Sequence, residues 1–424
     1  MTQRSFYPED LSSILRQRWQ EAGHGATALP AGSGLETLID TAYQASLLRE
    51  EDDPVRCRIL VASPDDPELE VVEKADGLYV MHFDDRSEFS AHQIRKMAAA
   101  VGYYRSLIGV QFDVAEVRQT TIWGMIVTGA GWVSQTEATV HDAASLPCRL
   151  VIHILGPGHL VFSAGLTRVM ETVGGQLLTE GFDPFRSKWL PKQFESFRTT
   201  LLSKLDVNSL QDVKVKLCDS FVRDVAQSVV RRVLGLVRGR GHGGMLIYLN
   251  DALDNRLDNW LRIRMRFKHA DATNRFHQLM LRLMQRAMEV GAANGIAEVR
   301  WKDFLQMHDA SLGKLHDSLV EFSHFLADLM SVDGSLVLSR EFRLIGFGGE
   351  ILGDSHVSSI ERAIDLEAEN SVTEPADSSG TRHRSAYRLV SSVQDAIVVV
   401  VSQDGAVRFV AHRGGRLVYW PYLP

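Results

Sequence analysis

The stretch SVDGSLVLSREFRLIGFGGEI, residues 331–351, carries more of the fold than any other part of the chain. SLVLS (335–339) and FRLIGFG (342–348) read as two strands joined by a short charged turn. Asp333-Gly334 opens the first of them. Asp-Gly is foremost a turn dipeptide. At the start of a strand it also sets a carboxylate beside a residue with no side chain, so a ligand can approach closely and a hard metal ion would favour that oxygen.

Upstream of this stretch, apolar stripes at helical spacing run through Leu312, Leu315, Leu319, Phe322, Leu326 and Leu329, and through Phe276, Leu279, Met280, Leu283, Met284 and Ala287. Both are core faces that need no cofactor. LRIRMRF (261–267) alternates strictly, with arginines on one side that read as a solvated sheet face, and GMLIYL (244–249) reads as a buried strand. The preceding loop Gly239-Arg240-Gly241-His242-Gly243-Gly244 comes before a strand rather than between a strand and a helix, so it is neither a dinucleotide fingerprint nor a P-loop. Downstream, DAIVVVVS (395–402), AVRFVA (406–411) and RLVYW (416–420) read as strands, and the acidic stretch 361–380 as a surface loop.

The N-terminal half has a different texture. Leu11, Ile14, Leu15 and Trp19 form a helical stripe, and Ser33-Gly34-Leu35-Glu36 fits a capping box opening a second helix. From residue 55 to 165 the text turns to strands: 55–62, 77–83, 120–132 and 148–155, with a Ser-capped helix at FSAHQIRKMAAAV and a Gly156-Pro157-Gly158 turn. His82, His153 and His159 lack metal-ligand spacing and read as structural. Residues 192–236 read as a helical connector. The expected architecture is α/β: a mixed sheet flanked by helices over 237–424, preceded by an α+β domain over 1–190 and the connector over 191–236.

Composition excludes several classes. The 424 residues hold 46 basic and 53 acidic side chains, a net charge of −7 that argues against broad nucleic-acid or anionic-membrane binding. No apolar run reaches the ~18–20 residues of a membrane span, and the first residues form no signal peptide, which makes the cytoplasm the default compartment. Cys57, Cys148 and Cys218 lie far apart, without zinc spacing, and read as buried reduced thiols.

Gly380-Thr381-Arg382-His383-Arg384 is the densest set of phosphate donors in the chain: two guanidinium groups, an imidazole and a hydroxyl behind a glycine. In isolation such a string is most often a basic surface turn. Together with Asp333-Gly334-Ser335 earlier, each segment framed by strands, it resembles the diadenylate cyclase family, whose hallmarks are Asp-Gly-Ala opening a strand and a later Gly-Thr-Arg-His-Arg. The likeness extends over residues 225–424 and includes HGGMLIYL (242–249) as a first strand. The N-terminal half, through YPEDL, IWG and GPG, is similar to the sensor region attached to some members, and brings no known ligand.

The resemblance implies roles. Asp333 would hold Mg²⁺ or Mn²⁺ beside an attacking ribose 3′-hydroxyl, Gly334 and Ser335 would line the adenosine, and Thr381, Arg382, His383 and Arg384 would grip the phosphates of ATP. Two ATP-loaded domains would meet face to face and form cyclic di-AMP. The family's acidic residues after the last hydrophobic strand are replaced by Ser402-Gln403-Asp404-Gly405, where Asp404 is the candidate second metal ligand. That departure keeps open a nucleotide-binding regulator that has lost its chemistry, and, further off, a purely structural module.

Overall fold

A computed structural model describes residues 6–25, 29–69, 79–103, 106–112, 120–127, 146–165, 167–177, 183–205, 215–250, 257–268, 271–353, 356–403 and 405–422. The chain divides into two compact units, essentially up to Glu180 and from Gly181 onward.

The first unit is α+β. Helices α1 (Pro8–Glu21), α2 (Gly34–Ser46) and α3 (Ala91–Ala98) accompany strands β1 (Cys57–Val61), β2 (Tyr79–Glu88), β3 (Ser106–Gln111), β4 (Thr121–Val127), β5 (Leu150–Gly156), β6 (His159–Ala164), β7 (Thr167–Val173) and β8 (Gln176–Leu177). They form one sheet in the order β8-β7-β6-β5-β1-β3-β4-β2. Leu11, Leu15 and Trp19 of α1 and Leu35, Leu38 and Ile39 of α2 share a core with Ile59, Ile108 and Ile152 of the sheet. Ser90 caps α3 by accepting from the Gln93 amide, as its position suggests. The capping box expected at Ser33 does not form: that residue is already helical in backbone and its hydroxyl caps nothing. The strand text at 128–132 lies outside the described residues.

The three histidines have structural partners. His153 bonds Tyr103 and Ser163, His159 pairs with Glu171 at 2.6 Å, and His82 lies against the Trp123 ring.

The second unit is a nine-stranded mixed sheet between helices. Its elements are α4 (Glu195–Lys204), α5 (Phe221–Arg240), β9 (Gly244–Leu249), β10 (Leu261–Arg266), α6 (Arg275–Ala293), α7 (Trp301–Gln306), α8 (Ala310–Met330), β11 (Ser335–Ser339), β12 (Leu344–Ile351), β13 (Ser359–Ala363), β14 (Ser371–Pro375), α9 (Thr381–Ser392), β15 (Ile397–Val401), β16 (Val407–Arg413) and β17 (Arg416–Tyr422). The order is β10-β12-β11-β9-β15-β16-β17-β13-β14, with β9 and β11 parallel and β9 and β15 antiparallel. Both faces of the central strands are covered, which is why 397–401 reads as an unbroken β-branched run. Val399 and Leu246 face α5, α6 and α8, whereas Val398 and Ile247 face α9. This is the mixed, helix-flanked sheet the sequence leads one to expect.

Two stretches differ from their sequence reading. The acidic stretch 361–380, expected as a loop, contributes to a hairpin, β13 with β14, at one edge of the sheet. Edge strands face water and so can carry the charges that made the text look unstructured. The stretch expected as a connector packs into the core of this unit through Phe197, Leu201, Val225 and Val229. Trp189, placed by sequence with the preceding domain, stacks on Trp420 at 4.5 Å here, and both indole N–H groups donate to the Leu366 carbonyl. Of the three thiols only Cys57 is buried; Cys148 is exposed.

Candidate functional site

Strand register brings the two singled-out motifs to one end of the second sheet. In the parallel pair β9–β11, Leu246 lies opposite Leu336, so carrying the register back three residues sets Gly243 beside Asp333. In the antiparallel pair β9–β15, Gly244 lies opposite Val401, which sets Gly243 beside Ser402 on its other side. A Cβ on Gly243 would lie 2.7 Å from the Val401 carbonyl oxygen and 3.0 Å from Arg382 Nη1. The Arg382 side chain therefore reaches the strand next to Asp333. The glycine loop excluded as a standard phosphate motif forms part of this end, and Gly243, at φ +65°, fits there only because it has no side chain.

Glycines also make the other side of Asp333. Gly334 has φ +112°, and a Cβ on it would sit 2.7 Å from the carbonyl carbon of Gly348. Ser335 is buried, and its hydroxyl donates to the Gly349 carbonyl at 2.9 Å, tying β11 to β12. That commits the hydroxyl to the fold and leaves the exposed Gly334 backbone as the open surface.

Helix α9 starts at Thr381 with Gly380 as its N-cap and no side chain capping it. Uncapped amides and the positive end of the helix dipole favour an anion. Thr381 and Arg384 are exposed, Arg382 is half-buried, and His383 is buried against the helix's own packing face. The loop before α9 is braced. Arg408 donates to Ser379 Oγ at 3.0 Å and to the Tyr387 hydroxyl at 2.7 Å, with its guanidinium 4.4 Å from the centre of the Tyr419 ring. Tyr419 donates to Glu374, and burial pushes its phenol well above the ordinary range. Sequence reading missed this brace, because nothing in AVRFVA or RLVYW marks Arg408 and Tyr419 as partners of residue 379.

Charge pairing around this end is selective. Arg262 pairs with Glu350 at 3.7 Å, Arg266 with Asp258 at 3.5 Å and Arg240 with Asp328 at 2.6 Å. Among the described residues, the side chains of Asp333, Arg264, Arg382 and Arg384 make no hydrogen bond or ion pair. Asp404 lies outside the described residues, and its neighbour Gln403 is exposed.

A cavity of about 260 Å³ lies at the opposite end of the strands, where Tyr248 and Ile397 face each other. Its wall is apolar, with Phe185, Phe194 and Phe342, and the Arg198 and Arg223 side chains beside it are taken up by Glu195 and Asp224. Triphosphate chemistry favours the charged end over this cavity.

A sheet end with uncommitted cations, a glycine floor and an open helix N-terminus is the arrangement of a nucleotide-binding domain. Residues 348–415 match the family described as DisA bacterial checkpoint controller nucleotide-binding (DAC), and residues 24–127 match the family described as Probable sensor domain DACNV. No curated protein and no solved structure matches the chain. The chain thus joins a DAC-type nucleotide-binding domain to a sensor-type domain, as its motifs suggest. The matched DAC segment contains Gly380–Arg384 but ends short of Asp333–Ser335, which sequence resemblance and strand register tie to it. No helix among the described residues is long and apolar enough to cross a membrane.

Proposed function

We propose that the second unit is a diadenylate cyclase, condensing two ATP into cyclic di-AMP and two pyrophosphates under the control of the sensor unit. The observation that supports this most is a set of charges at one sheet end that make no hydrogen bond or ion pair among the described residues: a carboxylate on a glycine turn beside Gly243, which Arg382 reaches from the N-terminus of α9. Arg382, Arg384 and the first amides of α9 bind the phosphates, and the Gly334 backbone lets the nucleoside lie close to β11. In two domains meeting face to face, each ribose 3′-hydroxyl attacks the other nucleotide's α-phosphate. The new O3′–P bond forms as the bond from the α-phosphorus to the oxygen bridging the β-phosphate breaks, the hydroxyl proton passes to solvent water, and pyrophosphate departs. Positioning supplies most of the rate.

Asp333 is an exposed carboxylate without a hydrogen-bond or ion-pair partner among the described residues, and it fits Mg²⁺ or Mn²⁺, which commonly take one or two protein carboxylates and complete their shell with phosphate oxygens and water. Such an ion would neutralise phosphate charge. Asp333 would be the protein's contribution to holding such an ion, with Asp404, outside the described residues, as a second candidate.

One observation favours a second reading. Exposed Gln403 stands where the family carries an acid, which suits a domain that binds nucleotide and signals without turnover. Chromatography of products from purified chain, ATP and either metal distinguishes the two. Cyclic di-AMP from the parent protein supports the cyclase. Product only after Gln403→Glu supports the regulator. ATP binding without product in either protein rejects the cyclase.

A further inference from the structure

The strand β10 carries three arginines on one side, and the structure treats them differently. Arg262 and Arg266 are held by Glu350 and Asp258. Arg264, between them, is exposed and makes no hydrogen bond or ion pair among the described residues. Its neighbours explain why it stays uncommitted. Ile263 pairs with Gly349 and Met265 with Phe347, so Arg264 lies opposite Gly348. A Cβ on Gly348 would be 3.4 Å from the Arg264 Cβ and 3.7 Å from the Asp333 carbonyl oxygen. Gly348 is thus the single residue between Arg264 and the Asp333 turn, and it offers no side chain to screen one from the other.

Resting on the nucleotide reading above, we infer that Arg264 is a third phosphate-binding cation, acting on the nucleotide held by its own domain. Arg264 sits two strands from Asp333 on one side, about 10 Å at ordinary strand spacing, a gap that an extended arginine and a bound phosphate together span. Arg382 reaches Gly243, one strand away on the other side. In strand order Arg264 and Arg382 flank the Asp333 turn, a placement suited to a polyanion laid across strand ends rather than to a single phosphate. Anchoring on a paired β-strand also fixes the arginine's backbone, so less freedom is lost on binding than from a loop.

The test compares ATP affinity, measured by calorimetry with Mg²⁺ on the full chain, with adenosine affinity, measured by competition. Arg264→Met should weaken ATP about tenfold or more, the scale of a lost charge-assisted contact, and leave adenosine unchanged. Arg264→Lys should fall between, and Arg266→Met, on the same strand but already paired, should match the parent. An Arg264→Met protein that binds ATP as the parent does overturns the assignment. Intact ATP affinity with lost product formation overturns it too, because the arginine then serves a partner domain's nucleotide. A parent protein that binds neither ATP nor adenosine instead overturns the nucleotide reading itself. Unfolding midpoints of all variants should agree, since the position is exposed.

Discussion

The sensor unit and the motif end of the second unit handle charge in opposite ways. In the sensor unit the Glu171 side chain is fully buried, with His159 at 2.6 Å and Arg168 at 3.0 Å, and Arg149 is clamped by Asp66 and Glu68. At the motif end of the second unit, Asp333, Arg264, Arg382 and Arg384 make no hydrogen bond or ion pair among the described residues. A buried charge with its counter-ion belongs to the fold, because separating the pair strands an ion in a poor solvent. An accessible charge kept apart from opposite charges costs the fold little and is available to a ligand.

The largest expected effect tests the first half of that contrast. Glu171→Ala leaves His159 and Arg168 without their carboxylate and should cost about 3–5 kcal/mol in chemical unfolding of the sensor unit. A loss below ~1 kcal/mol would remove the distinction. Next comes the converse. Replacing Arg382 and Arg384 together by Ala should weaken ATP by about 100-fold, from two charge-assisted contacts, while moving the unfolding free energy by less than ~0.5 kcal/mol. Asp333→Asn should differ from both, abolishing product while ATP still binds; equal affinity losses in the two variants would refute this division of roles.

Gly334→Ala should be smaller, about 1–3 kcal/mol in stability with weakened ATP binding, because φ +112° and the contact with Gly348 leave no room for a Cβ. Smallest is a labelling difference among thiols. Burial pushes the Cys57 thiol up to about 12, so at pH 8 an alkylating reagent should modify exposed Cys148 and spare Cys57 in the folded chain.

Much of the architecture is legible in the sequence because its strands are strongly marked. The run at 397–401 is apolar throughout, and 261–267 alternates without exception. What escaped is where charge and fold are entangled. The 361–380 stretch looked like a loop because Glu361, Arg362 and Glu374 are polar, yet Arg362 and Glu374 pair across the hairpin at 2.7 Å. The stretch read as a helical connector belongs to the core of the second unit, where Arg231 is buried, donating to Asp183 and the Tyr422 hydroxyl and lying over the Phe185 ring. Within the site, both motifs were visible as strings of residues. Arg264 and Gly243 were not, because their role follows from strand order, and strand order is a long-range property.

The proposed nucleotide site is the set of strand ends that carry Asp333 and Gly243, which Arg382 reaches. A crystal structure of the full chain with Mg²⁺ and a non-hydrolysable ATP analogue tests it most directly. Phosphate oxygens should lie within hydrogen-bond distance of Arg382 and the first amides of α9, with the nucleoside against Gly334. Nucleotide bound instead in the apolar cavity beside Tyr248 and Phe342, or Asp333 and Arg382 found on opposite faces of the sheet, would contradict it.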